Sequence, residues 1–246
     1  MRNKGSLARS TGLLFVGLTL GMLLALQWNA ATASRLEDTN YGRDRTALTI
    51  ERLEIEQQAL KRQVSELRLA LDESQREKGQ SVEPLQGLSQ ELERHKALAG
   101  FVAVRGPGVE VVLNDSTRRV VPSVVNPELY LVHDYDVRDV VNLLWAAGSE
   151  AISVNNERVV ATTSIYCVGA TILINDTRIS PPYVIRAIGP ADQQGTLLKN
   201  PSFLSDLRGR VTSYGLELKV SQMTDVIVPA YEGSFGTIYA NISISQ

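Results

Sequence analysis

The chain has little of what metal and disulfide chemistry require. It holds one cysteine, Cys167, and two histidines, His95 and His133, in 246 residues. A single cysteine excludes an intrachain disulfide. Two histidines without clustered cysteines leave too few good ligands for zinc, so neither a metal nor a cofactor is expected. An excess of basic charge is also missing. The net charge is −2, and no basic stripe marks a nucleic-acid surface. A Gly-x-Ser-x-Gly elbow is absent, since Tyr231-Glu232-Gly233-Ser234-Phe235-Gly236 does not supply one. Gly106-Pro107-Gly108 lacks both the lysine and the following helix of a phosphate loop. No catalytic residue is therefore assigned, and the chain reads as a non-enzyme.

What is present begins with an apolar run. No charged residue falls between Arg9 and Arg35, while Arg2, Lys4 and Arg9 precede the run. About 25 residues at about 1.5 Å each suffice to cross a hydrocarbon core of about 30 Å. The expectation is a basic cytoplasmic tail at 1–9 and a transmembrane anchor at 10–34. It implies a single-pass protein of the cell membrane with its C-terminal body extracytoplasmic. Ala31-Thr32-Ala33 keeps a second reading open, a signal peptide cleaved after Ala33 and a secreted product. Either location without disulfides suits a bacterial envelope where oxidative folding is little used.

Residues 35–99 read as a coiled-coil stalk with a break near 78–84. One seam holds Ile50, Gln57, Val64 and Leu71, and the other Leu53, Leu60 and Leu67, flanked by charged or polar positions. This spacing predicts self-association, most simply a parallel homodimer, with Gln57 as a polar specifier of register. The alternative is a single amphipathic helix packed on its own domain. Gly79 and Pro84 weaken the helix, and Leu85, Leu88 and Leu92 resume the same heptad phase, as one seam carried past an interruption would.

Residues 100–246 read as one α+β domain. A turn at Gly106-Pro107-Gly108 leads into a strand through Val109–Leu113. A helix over 136–147 stops at Gly148, and strands follow at 151–154, 165–168, 171–174, 183–188, 216–220 and 226–228, with a helix over 196–213 open to interruption at Pro201. Helix, glycine, strand occurs twice, at Ala146-Ala147-Gly148 and at Ser213-Tyr214-Gly215. That order predicts a ferredoxin-like split βαβ sandwich with an inserted hairpin.

Few side chains suggest a site. His133 and Asp134 precede a helix, where they cap it or bind a ligand. Arg118 lies in a polar loop able to hold an anion. Arg186 sits among apolar strand residues and needs a partner if buried. Cys167 lies in an apolar run and reads as a buried small hydrophobe.

Four stretches carry a family resemblance. They are Lys96-Ala97-Leu98-Ala99-Gly100, Arg105-Gly106-Pro107-Gly108-Val109-Glu110-Val111, Asn142 through Asn155 around Leu144-Trp145-Ala146-Ala147-Gly148-Ser149-Glu150, and Pro182-Tyr183-Val184-Ile185-Arg186-Ala187-Ile188-Gly189. With them the chain resembles the YlxW/YlxX-like family of bacterial membrane-anchored coiled-coil proteins. The resemblance implies an extracytoplasmic domain on an anchored stalk, other envelope proteins as partners, and a loose link to cell division or envelope growth. It brings no activity or ligand with it. A small-molecule-sensing module is the second functional expectation.

Overall fold

A computed structural model describes residues 4–79, 83–118 and 126–233; within its first two helices, side chains are described for 17–27, 47–75 and from 87 onward. By its contacts the chain divides into residues 1–60 and 61–246. Helix α1 runs Lys4–Gly79 and α2 runs Glu83–Leu98.

Among the described residues no helix is long and apolar enough to cross a membrane. The apolar stretch of α1 with described side chains is 17–27, about 16 Å of helix against a hydrocarbon core of about 30 Å. The stretch 47–75 carries charge at nearly every turn. The expected transmembrane helix, the signal anchor and the single-pass cell-membrane location are corrected accordingly. Residues 1–3 of the basic tail lie outside the described residues, as do the side chains of Ala31, Thr32 and Ala33.

Lys96 of α2 forms an ion pair with Asp72 of α1. On one straight helix those residues would stand about 36 Å apart. Helix α2 therefore turns back along the end of α1, and the seam does not run straight on from one helix into the other.

The head follows as β1 (Val104–Asn114), a 3-10 turn (Pro127–Tyr130), α3 (Asp134–Ala146), β2 (Ala151–Val154) and β3 (Glu157–Val159). Next come β4 (Ile165–Val168), β5 (Thr171–Ile174), β6 (Thr177–Ile179) and β7 (Tyr183–Ile188). Helices α4 (Ala191–Lys199) and α5 (Ser205–Tyr214) lead to β8 (Glu217–Val228). The main sheet has the order β3-β2-β7-β1-β8 and every neighbour is antiparallel. Strands β2, β7, β1 and β8 in that order, with helices in two crossovers, make a split βαβ arrangement. The insertion is larger than a hairpin. Strand β3 widens the main sheet, and β4-β5-β6 form a separate antiparallel meander.

Alternation along the strands sorts the faces. Val109, Val111 and Leu113 of β1 and Tyr183 and Ile185 of β7 meet Val137, Val140 and Leu144 of α3, together with Leu198 and Leu207. The meander adds Ile172, Ile174 and Ile179 to the same core. Each such fully buried aliphatic contributes about 1.5–3 kcal/mol.

Two of the three tight turns from β2 to β6 use Asn or Asp at positive φ. Asn155 and Asn156 (φ 44° and 73°) join β2 to β3, and Asn175 and Asp176 (φ 50° and 65°) join β5 to β6. These are the values of a two-residue hairpin loop that matches strand twist. Gly106-Pro107-Gly108 departs from expectation. It lies inside β1, where the register against β8 shifts between Gly106 and Gly108. A bulge frees Pro107 from donating to the ladder. A Cβ on Gly108 would run into the Ala187 carbonyl of β7, so only glycine fits there. Strand β8 is likewise one element, not two, because this bulged pairing with β1 carries it past Met223.

Candidate functional site

The end of β1 is tied to the entry of α3 by short polar bonds. Asn114 Oδ1 accepts from Asp115 N–H at 3.0 Å, and Asp115 Oδ1 accepts from Val132 N–H at 2.7 Å. Ser116 N–H donates to the Tyr130 carbonyl at 2.9 Å. Asn126 caps the 3-10 turn by accepting from Glu128 N–H at 3.1 Å, with Pro127 in its first turn, where a missing N–H costs nothing. Chain segments that diverge in sequence thus meet at one place.

His133 is the N-cap of α3, and its N–H donates to Asp136 Oδ2 at 2.8 Å. Its Nε2 lies 2.9 Å from the Glu128 carbonyl, so that nitrogen carries the proton, and its ring stacks on Tyr135 at 5.1 Å. Asp134 faces β4. Its Oδ2 accepts from Cys167 N–H at 3.3 Å and from Arg138 Nη1 at 3.1 Å, and Asp134 N–H donates to Cys167 Sγ at 3.4 Å. Arg138 also donates to the Ile165 carbonyl at 3.0 Å. Two helix side chains thereby occupy the outer edge of β4 where a further strand would pair.

These elements surround a cleft of about 430 Å³ lined by Asp115, Glu128, His133, Cys167, Thr171 and Tyr183 over an apolar floor. Its size suits a small molecule. Tyr183 is 1 % exposed. Burial, then the charges of Asp115 and Cys167, push its phenol up to about 12. Cys167 is exposed and free, against the expectation of a buried hydrophobe, because β4 is an outer strand of the meander. Desolvation against α3 nevertheless raises its thiol, more than the Asp134 N–H lowers it. His133 and Cys167 share the cleft, but the hydrogen bonds of each go elsewhere. Among the described residues no group of three His, Cys, Asp or Glu side chains can hold a metal ion.

The arginines flagged by sequence lie apart from this cleft. Arg186 points to the outer face of the sheet, where its Nε bonds Glu110 at 2.9 Å and its Nη1 meets Asn156 at 3.3 Å. Pairing registers place Arg158, Ser153, Arg186, Glu110 and Ser221 in one row across five strands. Arg118 closes the end of α5, donating to the Ser213 carbonyl at 2.9 Å beside the Ser116–Tyr214 bond. A cation there complements the helix dipole. Asp115 and Tyr183 carried no sequence signal, since one stood in a polar loop and the other opened an apolar strand.

Away from the cleft, α3 and α5 are joined by a buried ion pair between Asp136 and Arg210. Arg210 also donates to the Leu131 carbonyl at 3.0 Å and to Asp206 at 3.0 Å. Burial pushes the Asp136 carboxyl up, outweighing the His133 N–H and the guanidinium that pull it down.

The stalk residues sort by face. Leu53, Leu60, Leu67 and Leu71 are 56–64 % exposed, Ile50 and Val64 37–39 %, and Gln57 is half-buried. The face of α1 carrying Lys61, Arg68 and Asp72 is instead used within the protein. Lys61 bonds Glu157 at 3.0 Å and also reaches Thr177. Arg68 donates to the Tyr231 carbonyl at 2.8 Å and the Gly233 carbonyl at 2.6 Å, and stacks over Phe101.

Residues 91–241 match the model of a family described as bacterial proteins of unknown function, DUF881. The four resemblance stretches all fall inside that match. The chain is 32 % identical over 103 residues to the UPF0749 protein YlxW of Bacillus subtilis, covering 42 % of this chain and 44 % of that one. It is 31 % identical over 137 residues to the UPF0749 protein MT1871 of Mycobacterium tuberculosis, covering 54 % and 45 %. The match therefore spans less than half the length of these relatives. A third, the UPF0749 protein Rv1825 of Mycobacterium tuberculosis, is 28 % identical over 223 residues, covering 86 % and 71 %. A crystal structure of an uncharacterized conserved protein from Mycobacterium tuberculosis superposes with a TM-score of 0.49 at 27 % identity, covering 62 % of this chain and 99 % of that one.

Proposed function

From the premise that this chain belongs to the DUF881 family of bacterial proteins of unknown function, we propose that it is a non-enzymatic, self-associating interaction protein. Its stalk pairs with a second copy and its head meets partner proteins. One observation carries this reading. The heptad leucines of α1 are exposed, whereas Lys61, Arg68 and Asp72 on another face are engaged within the chain. An apolar seam at 3.5-residue spacing gains burial only against another helix. A polar face already satisfied by its own domain leaves that seam free to supply the contact.

Sedimentation of the full chain tests it. A dimer at micromolar concentration is expected, and a combined Leu60→Glu, Leu67→Glu variant is expected to sediment as monomer with an unchanged near-UV spectrum. A wild-type chain that stays monomeric at high concentration would overturn the reading.

A second reading, a small-molecule-binding module, is favoured by the cleft that joins β1, α3, β4 and β7 around Tyr183. It needs no catalytic group.

A further inference from the structure

We propose that a second cavity, where the ends of α2 and α3 meet the edge strand β3, binds a small organic monocarboxylate on a short apolar body, with Arg158 holding the carboxylate. This goes beyond the self-association reading and does not depend on the cleft beside Tyr183. The cavity measures about 320 Å³, within the range of small-molecule sites. Gly100, Arg158 and Val159 are its buried members, while Leu98 and Trp145 stand exposed at its rim. The first observation is Arg158. It is only 5 % exposed, yet it joins no ion pair among the described residues. Both of its side-chain hydrogen bonds leave from Nη1, to the Val102 carbonyl at 3.3 Å and the Pro229 carbonyl at 3.0 Å. Nε and Nη2 make none among the described residues. Nor are they sealed in, since the side-chain polar atoms sealed without a partner there are Ser153 Oγ, Asn175 Oδ1 and Gln194 Oε1. The Nε–Nη2 edge therefore stands open, on a residue that lines this cavity. A buried charge is ordinarily met by one of opposite sign. Here burial pulls the guanidinium below its ordinary pKa, and no acidic side chain offsets that.

The second observation is the space kept beside that edge. Gly100 sits at φ 84°, and a Cβ there would stand 3.6 Å from Arg158 Nε and 2.9 Å from Val160 Cγ1. Glycine leaves the space empty, and Tyr231 N–H fixes the Gly100 carbonyl at 2.7 Å. The helix ends that border the cavity are closed within the chain. Phe101 N–H donates to the Lys96 carbonyl at 2.8 Å, and Ser149 N–H to the Leu144 carbonyl at 3.1 Å. This closure softens the negative field that helix C-termini turn on an anion.

The two open nitrogens of a guanidinium edge present parallel donors, and a carboxylate accepts both at once. Leu98, Trp145 and Val160 give an apolar body its contact. Glu150 also lines the cavity and is exposed, so it works against a second negative charge on the ligand. That selects a monoanion over a phosphate. An ammonium group would meet the guanidinium as a like charge.

The test is an amide-shift titration of the full chain with n-pentanoate, and with n-pentanol, n-pentylamine and inorganic phosphate in parallel. Pentanoate is expected to give saturable shifts at Gly100, Val159 and Val160, pentanol and phosphate weaker ones and pentylamine none. Arg158→Gln is expected to weaken pentanoate about tenfold or more, with the near-UV spectrum checking the fold. Trp145→Ala is expected to weaken it severalfold, and Lys219→Gln, on the opposite edge strand, not at all. Glu150→Gln, at an exposed position, is expected to tighten it about twofold at low salt and to leave it unchanged at high salt. Pentanoate binding equally to a folded Arg158→Gln overturns the proposal. If that variant does not fold, pentanoate binding that neither Trp145→Ala nor Glu150→Gln moves overturns it instead. Equal binding of pentanol, pentylamine or phosphate overturns the carboxylate assignment, and no binding of pentanoate overturns the site. Sedimentation reads the stalk dimer separately, so either reading can fail alone.

Discussion

The stalk and the head use the same residue, leucine, in opposite ways. In the head Leu113 and Leu144 are fully buried. In α1 Leu60 and Leu67 are more than half exposed. Both regions have regular apolar spacing, so periodicity alone does not tell a core from an interface. What separates them is the satisfied polar face. In α3 the apolar side turns inward to the sheet, while in the part of α1 beyond Leu60 the polar side makes the contacts within the chain.

Five substitutions break or sharpen this contrast. The largest effect is expected from Arg210→Met, which leaves Asp136 charged and buried without its partner. A loss of about 3–5 kcal/mol is expected in urea unfolding. Leu144→Ala in the head is expected to cost about 3 kcal/mol at any protein concentration, through lost burial and a cavity. Leu67→Ala is the matched substitution in the stalk. It is expected to leave the head's own unfolding almost unchanged and to weaken dimerisation in sedimentation. An equal cost for the two would erase the distinction.

A smaller effect concerns Tyr183. Its folded phenol is pushed up to about 12 from the ordinary 10. Stability from the neutral, buried form is fully present below pH 10 and is lost as pH rises from there toward 12. The expected slope is about 1 kcal/mol per pH unit, and Tyr183→Phe flattens it in urea melts between pH 9 and 11. The smallest effect is expected from Lys61→Ala. Its partly buried pair with Glu157 contributes about 1 kcal/mol or less, and hydrogen exchange at Thr177 reports it.

Much of the head was legible because its punctuation is local. Asn155-Asn156 and Asn175-Asp176 announce tight turns from composition, and β4, β5 and β7 fall where β-branched runs stand. Gly106-Pro107-Gly108 was misleading for a physical reason. The same residues that make a turn also make a bulge, and only the distant β8 decides between them. The division between α4 and α5 follows from Pro201 and from Leu204, which takes a left-handed conformation (φ 54°) before α5. Of the site, His133 and Asp134 were legible as capping residues, whereas Tyr183 and Asp115 were not. Their meeting depends on the register of β1 against β7, where Leu113 faces Tyr183. Arg186 and Arg118 drew notice as unpaired charges, and each has a local partner that sequence distance concealed.

The bonds from Asp134 and Arg138 to β4 bear on the chain's behaviour under stress. An uncovered strand reading Ile165-Tyr166-Cys167-Val168 is a template for pairing with another chain. Here the template is masked by the first turns of a helix, so its exposure is governed by the stability of that helix. Heat or denaturant that frays the start of α3 opens a sticky edge beside a thiol that is already exposed. Aggregation of this protein is therefore expected to follow the fraying of a helix terminus.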